Sequence, residues 1–195
     1  MRQRSERTGS GEPALLLQPF ATTPEFMGQL HVALRRRGHR TYKGPRVPNV
    51  FPVSVIGKTL VARLEAVADQ TGERVHLIGH SLGGLWARYL AHRRPALARS
   101  VTTLGSPFWQ DRAWIRLLPV ISGWLDAAGG RQAVPEGIPF VAIVGRNDRI
   151  VAPQHARLDG YPYVELGVAH IAMPFHPAIH RTVDRLLRTH SASKH

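Results

Sequence analysis

The chain of 195 residues contains no cysteine. This excludes disulfides, thiolate catalysis and cysteine-ligated metal sites, but leaves the compartment open, because exported proteins can also lack cysteine. No apolar run approaches the ~20 residues of a membrane-spanning helix, and Leu15-Leu16-Leu17 is too short for the apolar part of a signal peptide. A soluble, unexported, cytoplasmic protein is the expectation. Acidic residues are also scarce: 13 Asp and Glu stand against 26 Lys and Arg, a formal net charge of +13. Lysine itself is nearly missing, at 3 residues against 23 arginines. That skew, with arginines scattered along the chain, reads as codon usage rather than a selected patch. No recognition motif accompanies the charge, so nucleic acid is not an expected partner. Transient contact with an anionic membrane surface stays open, as does oligomeric state.

What is present suits one globular domain. Hydrophobic content is 43%, enough for a full core and too little chain for two. Residues 1–12 are polar, charged and Gly/Ser-containing, and are expected to form a disordered arm before a domain spanning 13–195. Strand and helix patterns then alternate: strands at 14–18, 39–43, 99–104, 139–144 and 162–166, and helices near 24–37, 54–70 and 177–189. Arg37-Gly38, Thr71-Gly72 and Arg94-Pro95 mark helix ends. Alternation of this kind predicts an α/β fold, a mostly parallel sheet with helices on both faces.

The most informative stretch is residues 74–90, a buried-strand pattern running through Gly79-His80-Ser81-Leu82-Gly83 into a helical one. A strand turning sharply into a helix holds its apex in strained geometry and leaves little room two residues to either side. Gly79 and Gly83 meet that need. The turn lifts the Ser81 hydroxyl clear of the sheet at a helix N-terminus, where backbone N–H groups favour developing negative charge.

This segment resembles the nucleophile elbow of the α/β-hydrolase superfamily. Leu104-Gly105-Ser106-Pro107 and Ala87-Arg88-Tyr89-Leu90 resemble segments of its bacterial lipases and esterases. The resemblance implies a minimal version of that fold with about six strands, lacking the two antiparallel strands that usually open it. It also implies the remaining catalytic residues. Val141-Ala142-Ile143-Val144 runs into Gly145-Arg146-Asn147-Asp148, similar to the loop that carries the family's acid, so Asp148 is the expected acid and Asp111 the fallback. Gly167-Val168-Ala169-His170 looks like the histidine loop. Among eleven histidines, His170 is preferred to His176, which stands at the entry to the last helix. Leu82 and Phe20 are the expected oxyanion-hole N–H donors. Here the chain departs from the family's usual His-Gly-aromatic loop, having Gln18-Pro19-Phe20, in which Pro19 cannot donate.

Between Trp109 and Leu125 apolar residues recur with helical spacing, and three of the four tryptophans lie there. Pro119 should divide the stretch. Two readings stand open: a small cap at about 108–135 over the serine, with Trp109 and Trp114 touching substrate, or an ordinary helix packed on the sheet. The expected activity is serine hydrolysis of carboxylic esters or lipids through an acyl-enzyme, with no metal and no cofactor. Thioester, amide or peroxyacid chemistry with the same triad is the alternative, as is a non-catalytic or membrane-surface binding module retaining the fold.

Overall fold

The computed structural model describes residues 11–46, 53–108 and 134–192. Trp109, Asp111 and Trp114, with most of the tryptophan-rich segment, lie outside them. The strands are β1 (Pro13–Leu17), β2 (Arg40–Lys43), β3 (Val75–His80), β4 (Ala98–Leu104), β5 (Phe140–Gly145) and β6 (Tyr163–Leu166). The helices are α1 (Gly28–Arg36), α2 (Val53–Thr71), α3 (Leu82–Arg93) and α4 (Pro177–Ala192). Short 3₁₀ turns occupy Pro24–Met27, Pro153–Ala156 and His170–Phe175. The predicted helix over 24–37 therefore begins as a separate turn, with Pro24 opening it.

The six strands form one sheet in the order β2-β1-β3-β4-β5-β6, and every neighbouring pair is parallel. Residues in β1, β3 and β5 are buried throughout, as expected of strands covered on both faces. Side-chain alternation divides the core. Leu15, Leu17 and Leu77 face α2 and α3, packing with Leu60, Leu64, Trp86 and Leu90. Ala14, Leu16 and Ile78 face the other way, against Leu30 and Leu34 of α1 and Ile179, Val183 and Leu187 of α4. α1 and α3 thus lie on opposite faces. The order of the sheet reverses between β1 and β3, and in an open parallel sheet the crevice beyond the strand ends at such a reversal is where ligands are received. The loops after β1 and β3, Gln18-Pro19-Phe20 and Ser81, both emerge there.

At the other end of the sheet, Gly11 and Glu12, which composition assigns to the N-terminal arm, are already anchored. The Gly11 N–H donates to the Gly38 carbonyl at 3.0 Å. Glu12 accepts from His76 Nε2 at 3.0 Å and from the Ser191 hydroxyl at 2.8 Å, and pairs with Arg99 at 2.9 Å. With its Nε2 proton given to Glu12, neutral His76 accepts at Nδ1 from the Ser100 hydroxyl, 2.7 Å away. This serine–histidine–carboxylate chain is a structural tie, since Ser100 and His76 are each only 1% exposed.

Candidate active site

β3 ends at His80 and α3 begins at Leu82, leaving Ser81 at the corner with φ 52° and ψ −121°. A positive φ on a residue with a Cβ is strained by about 1–3 kcal/mol, and it persists only where the surroundings enforce it. The enforcement is visible. The Ser81 N–H donates to the Leu104 carbonyl at 2.9 Å, and the Ser81 carbonyl accepts from Gly84 at 3.0 Å. A Cβ on Gly79 would overlap the Gly83 carbonyl, and one on Gly83 would overlap the Leu17 carbonyl. The two glycines are needed for close backbone approach rather than for conformational freedom, since neither has a positive φ. Gly83→Ala should consequently destabilise the fold by about 3 kcal/mol, as overpacking against an immovable backbone does, read as a lower urea midpoint than that of the wild type.

The contact at Gly83 also seats the loop after β1 on the elbow. Gln18 is buried, and its Nε2 donates to the Pro45 carbonyl at 3.0 Å. The Thr22 hydroxyl donates to the Pro19 carbonyl at 3.0 Å, and Ala21 turns the chain with φ 55°. Gln18 therefore shapes the loop, while Phe20 stands 41% exposed at its tip.

Asp148 follows β5, and its side chain is fully buried. Oδ1 accepts from the backbone N–H groups of Ile150 and Val151, each at 2.8 Å. Oδ2 faces His170 Nδ1 at 2.6 Å. A buried carboxylate is tolerable only when its lone pairs are met in this way. His170 opens the 3₁₀ turn after β6 and is 6% exposed. With Nδ1–H given to Asp148, Nε2 of the neutral ring carries the lone pair that can take a proton. The ring lies beside His80, the residue before Ser81, with centroids 4.8 Å apart. No hydrogen bond joins Ser81 to His170 among the described residues. Such contacts commonly tighten only with substrate bound.

His176 is exposed, and its Nδ1 accepts from the Ala178 N–H at 3.2 Å, so it caps α4. His180 faces the Pro174 carbonyl at 2.9 Å. Neither shares the buried contact between Asp148 and His170. Behind the elbow α3 meets the chain that follows β4: a Cβ on Gly84 would overlap Ser106, and the buried Arg88 guanidinium lies 4.4 Å from the Phe108 ring centre. Burial pushes Arg88 down to about 10. The residue that sequence reasoning passed over is His80. It stands inside the motif, and its signal was a polar side chain closing a buried strand, directly before the serine.

A six-stranded parallel sheet with a strained serine between strand and helix, and a histidine–aspartate pair from later strand ends, defines the class of α/β hydrolases. The chain belongs to the alpha/beta hydrolase family, whose model matches residues 14–142. That match stops short of Asp148 and His170. A 52-residue segment is 50% identical to a triacylglycerol lipase of Pseudarthrobacter phenanthrenivorans, spanning 26% of this chain and 16% of the lipase. A triacylglycerol lipase of Burkholderia plantarii is likewise 50% identical over 52 residues, 14% of its length. The chain thus matches about one-sixth of these relatives or less. Among solved structures, one from the work on LipS and LipT, two metagenome-derived lipolytic enzymes, has a TM-score of 0.74 at 15% identity, covering 93% of this chain and 95% of the other. A monoacylglycerol lipase of Paleococcus ferrophilus has a TM-score of 0.68 at 16% identity, with 93% and 96% covered. At such identities these likenesses concern the fold. No helix among the described residues is long and apolar enough to cross a membrane.

Proposed function

We propose that this hydrolase is a serine carboxylic-ester hydrolase, and the observation that carries the reading is the buried 2.6 Å contact between Asp148 and His170 beside a strained serine. Ser81 Oγ attacks the ester carbonyl carbon while its proton passes to His170 Nε2. The carbonyl π pair moves onto oxygen, where the N–H groups of Leu82 and Phe20 receive the oxyanion. The tetrahedral intermediate collapses, and the leaving alkoxide takes the proton from His170. A water molecule then repeats the sequence on the acyl-enzyme, releasing the acid and restoring Ser81. Asp148 holds His170 in the accepting tautomer and stabilises the imidazolium that forms.

Lipases among the relatives favour esters of fatty acids as the substrate class. A fluorophosphonate probe is expected to label Ser81, and a series of p-nitrophenyl esters should be turned over with a definite preference in acyl length. A folded wild-type protein that neither takes the label nor hydrolyses any ester of the series overturns the reading in favour of a binding module. Labelling with turnover confined to thioesters or amides moves the substrate class and keeps the triad.

A further inference from the structure

We infer that His80 is a positioning residue for the catalytic base, its Nε2–H holding the main-chain carbonyl of His170 and so fixing where the His170 ring stands. The inference rests on the proposed role of His170. His80 Nε2 lies 3.0 Å from that carbonyl. A carbonyl can only accept, so Nε2 carries the proton. The two rings are tilted by 41° with centroids 4.8 Å apart. On His80's other contact Phe26 stacks at 5.8 Å and 5°, and Phe26 meets Phe175 edge-on at 5.2 Å. Phe175 ends the 3₁₀ turn that His170 begins. The contacts therefore close a circuit: the turn carrying the base is gripped at its first carbonyl by His80 and at its last residue by Phe26, which itself braces His80.

A histidine suits this place for an electrostatic reason. A lysine or arginine could also donate to the carbonyl, but its charge would oppose formation of the His170 imidazolium. His80 is 1% exposed, and burial, with the His170 ring as the next cause, pushes it down to about 3. It donates while remaining neutral. The titratable groups facing it are His170 and Asp148, while Phe26 supplies an uncharged wall. Fixing a general base matters because displacement by about 1 Å can cost 10²-fold in rate.

The test compares His80→Phe, which keeps a flat ring against Phe26 but has no donor, with His80→Gln, whose amide N–H reaches a similar place. On a p-nitrophenyl ester, His80→Phe is expected to lose about 10- to 100-fold in kcat with little change in KM. Its kcat–pH profile should have a displaced acid limb, and His80→Gln should recover most of the loss. Equal kcat in wild type and His80→Phe, or His80→Gln as impaired as His80→Phe with both folded, overturns the inference. Histidine ¹⁵N spectra of the wild-type protein provide a check independent of any variant's folding. His80 should be the Nε2–H tautomer throughout pH 5–8, and an Nδ1–H tautomer or a titration in that range overturns the inference. Failure of wild-type Ser81 to react with fluorophosphonate strikes the proposed function instead, so the two failures are distinguishable.

Discussion

Ser81→Ala is expected to lower kcat on a p-nitrophenyl ester by about 10⁴- to 10⁶-fold, with a fold and KM close to those of the wild type. The residual rate comes from groups the substitution leaves in place: the backbone N–H donors at the elbow and the surface that binds the acyl chain. Asp148→Asn should cost about 10⁴-fold for a different reason. Asp148 Oδ1 accepts two backbone N–H groups at 2.8 Å, so the single oxygen of asparagine is bound to stay on that side. Its NH₂ then faces His170 Nδ1, which must accept instead of donate, and the ring proton moves to Nε2. A ring protonated at Nε2 cannot take the serine proton. The double variant should be no slower than Ser81→Ala alone, because the groups act as one unit. Steady-state kinetics on the three variants, with circular dichroism to confirm folding, checks all of this; wild-type turnover by Ser81→Ala would remove the serine from the mechanism.

The parts of this arrangement legible in the sequence are those with a local signature. The elbow declares itself through Gly79, Ser81 and Gly83 because one sharp turn imposes small residues at fixed spacing. Strands buried on both faces declare themselves as continuous apolar runs, so Leu15–Leu17 and Val141–Val144 lie within β1 and β5. Asp148 and His170 could be chosen because the loops that carry them, after β5 and β6, resemble the family's acid and histidine loops, although the contact between them spans 22 residues. What was illegible is polar and long-range. The bond from His80 to His170 joins residues 90 apart, and that from His76 to Glu12 joins residues 64 apart. Neither leaves a periodicity, and Glu12 looks like part of a solvated arm until the sheet brings His76 to it. The family resemblance already sets the loop after the first strand beside the elbow; the sheet order adds the reversal between β1 and β3 that places Gln18 and Ser81 in one crevice.

Those two illegible histidines dominate the expected response to acid. Stability should fall steeply as pH drops from about 6.5 towards 4. Burial pushes His76 down to about 4, against the opposing effect of Glu12, and pushes His80 down to about 3. In the unfolded chain both would titrate near the ordinary 6.5. Above 6.5 neither state binds the protons, and these groups contribute no pH dependence. Between 6.5 and 4 the unfolded state takes up a proton at each position that the folded state refuses, so each position shifts the folding equilibrium towards unfolding by about tenfold per pH unit. His76 alone then accounts for somewhat under a hundredfold over that window, and His80 for more. Burial also lowers His31, His180 and His190, which act in the same direction. Asp184, held below the ordinary carboxylate value by His39 and Arg188 against the effect of burial, adds its loss only further down, below about 3.8. Because domains are typically stable by only about 5–15 kcal/mol, the combined effect removes a large share of the stability in mild acid. Urea midpoints at pH 7, 5.5 and 4.5 should decline steadily, and His76→Gln should flatten the decline even while lowering the starting value. A midpoint unchanged from pH 7 to 4.5 would mean that the two rings accept protons in place, contrary to their burial.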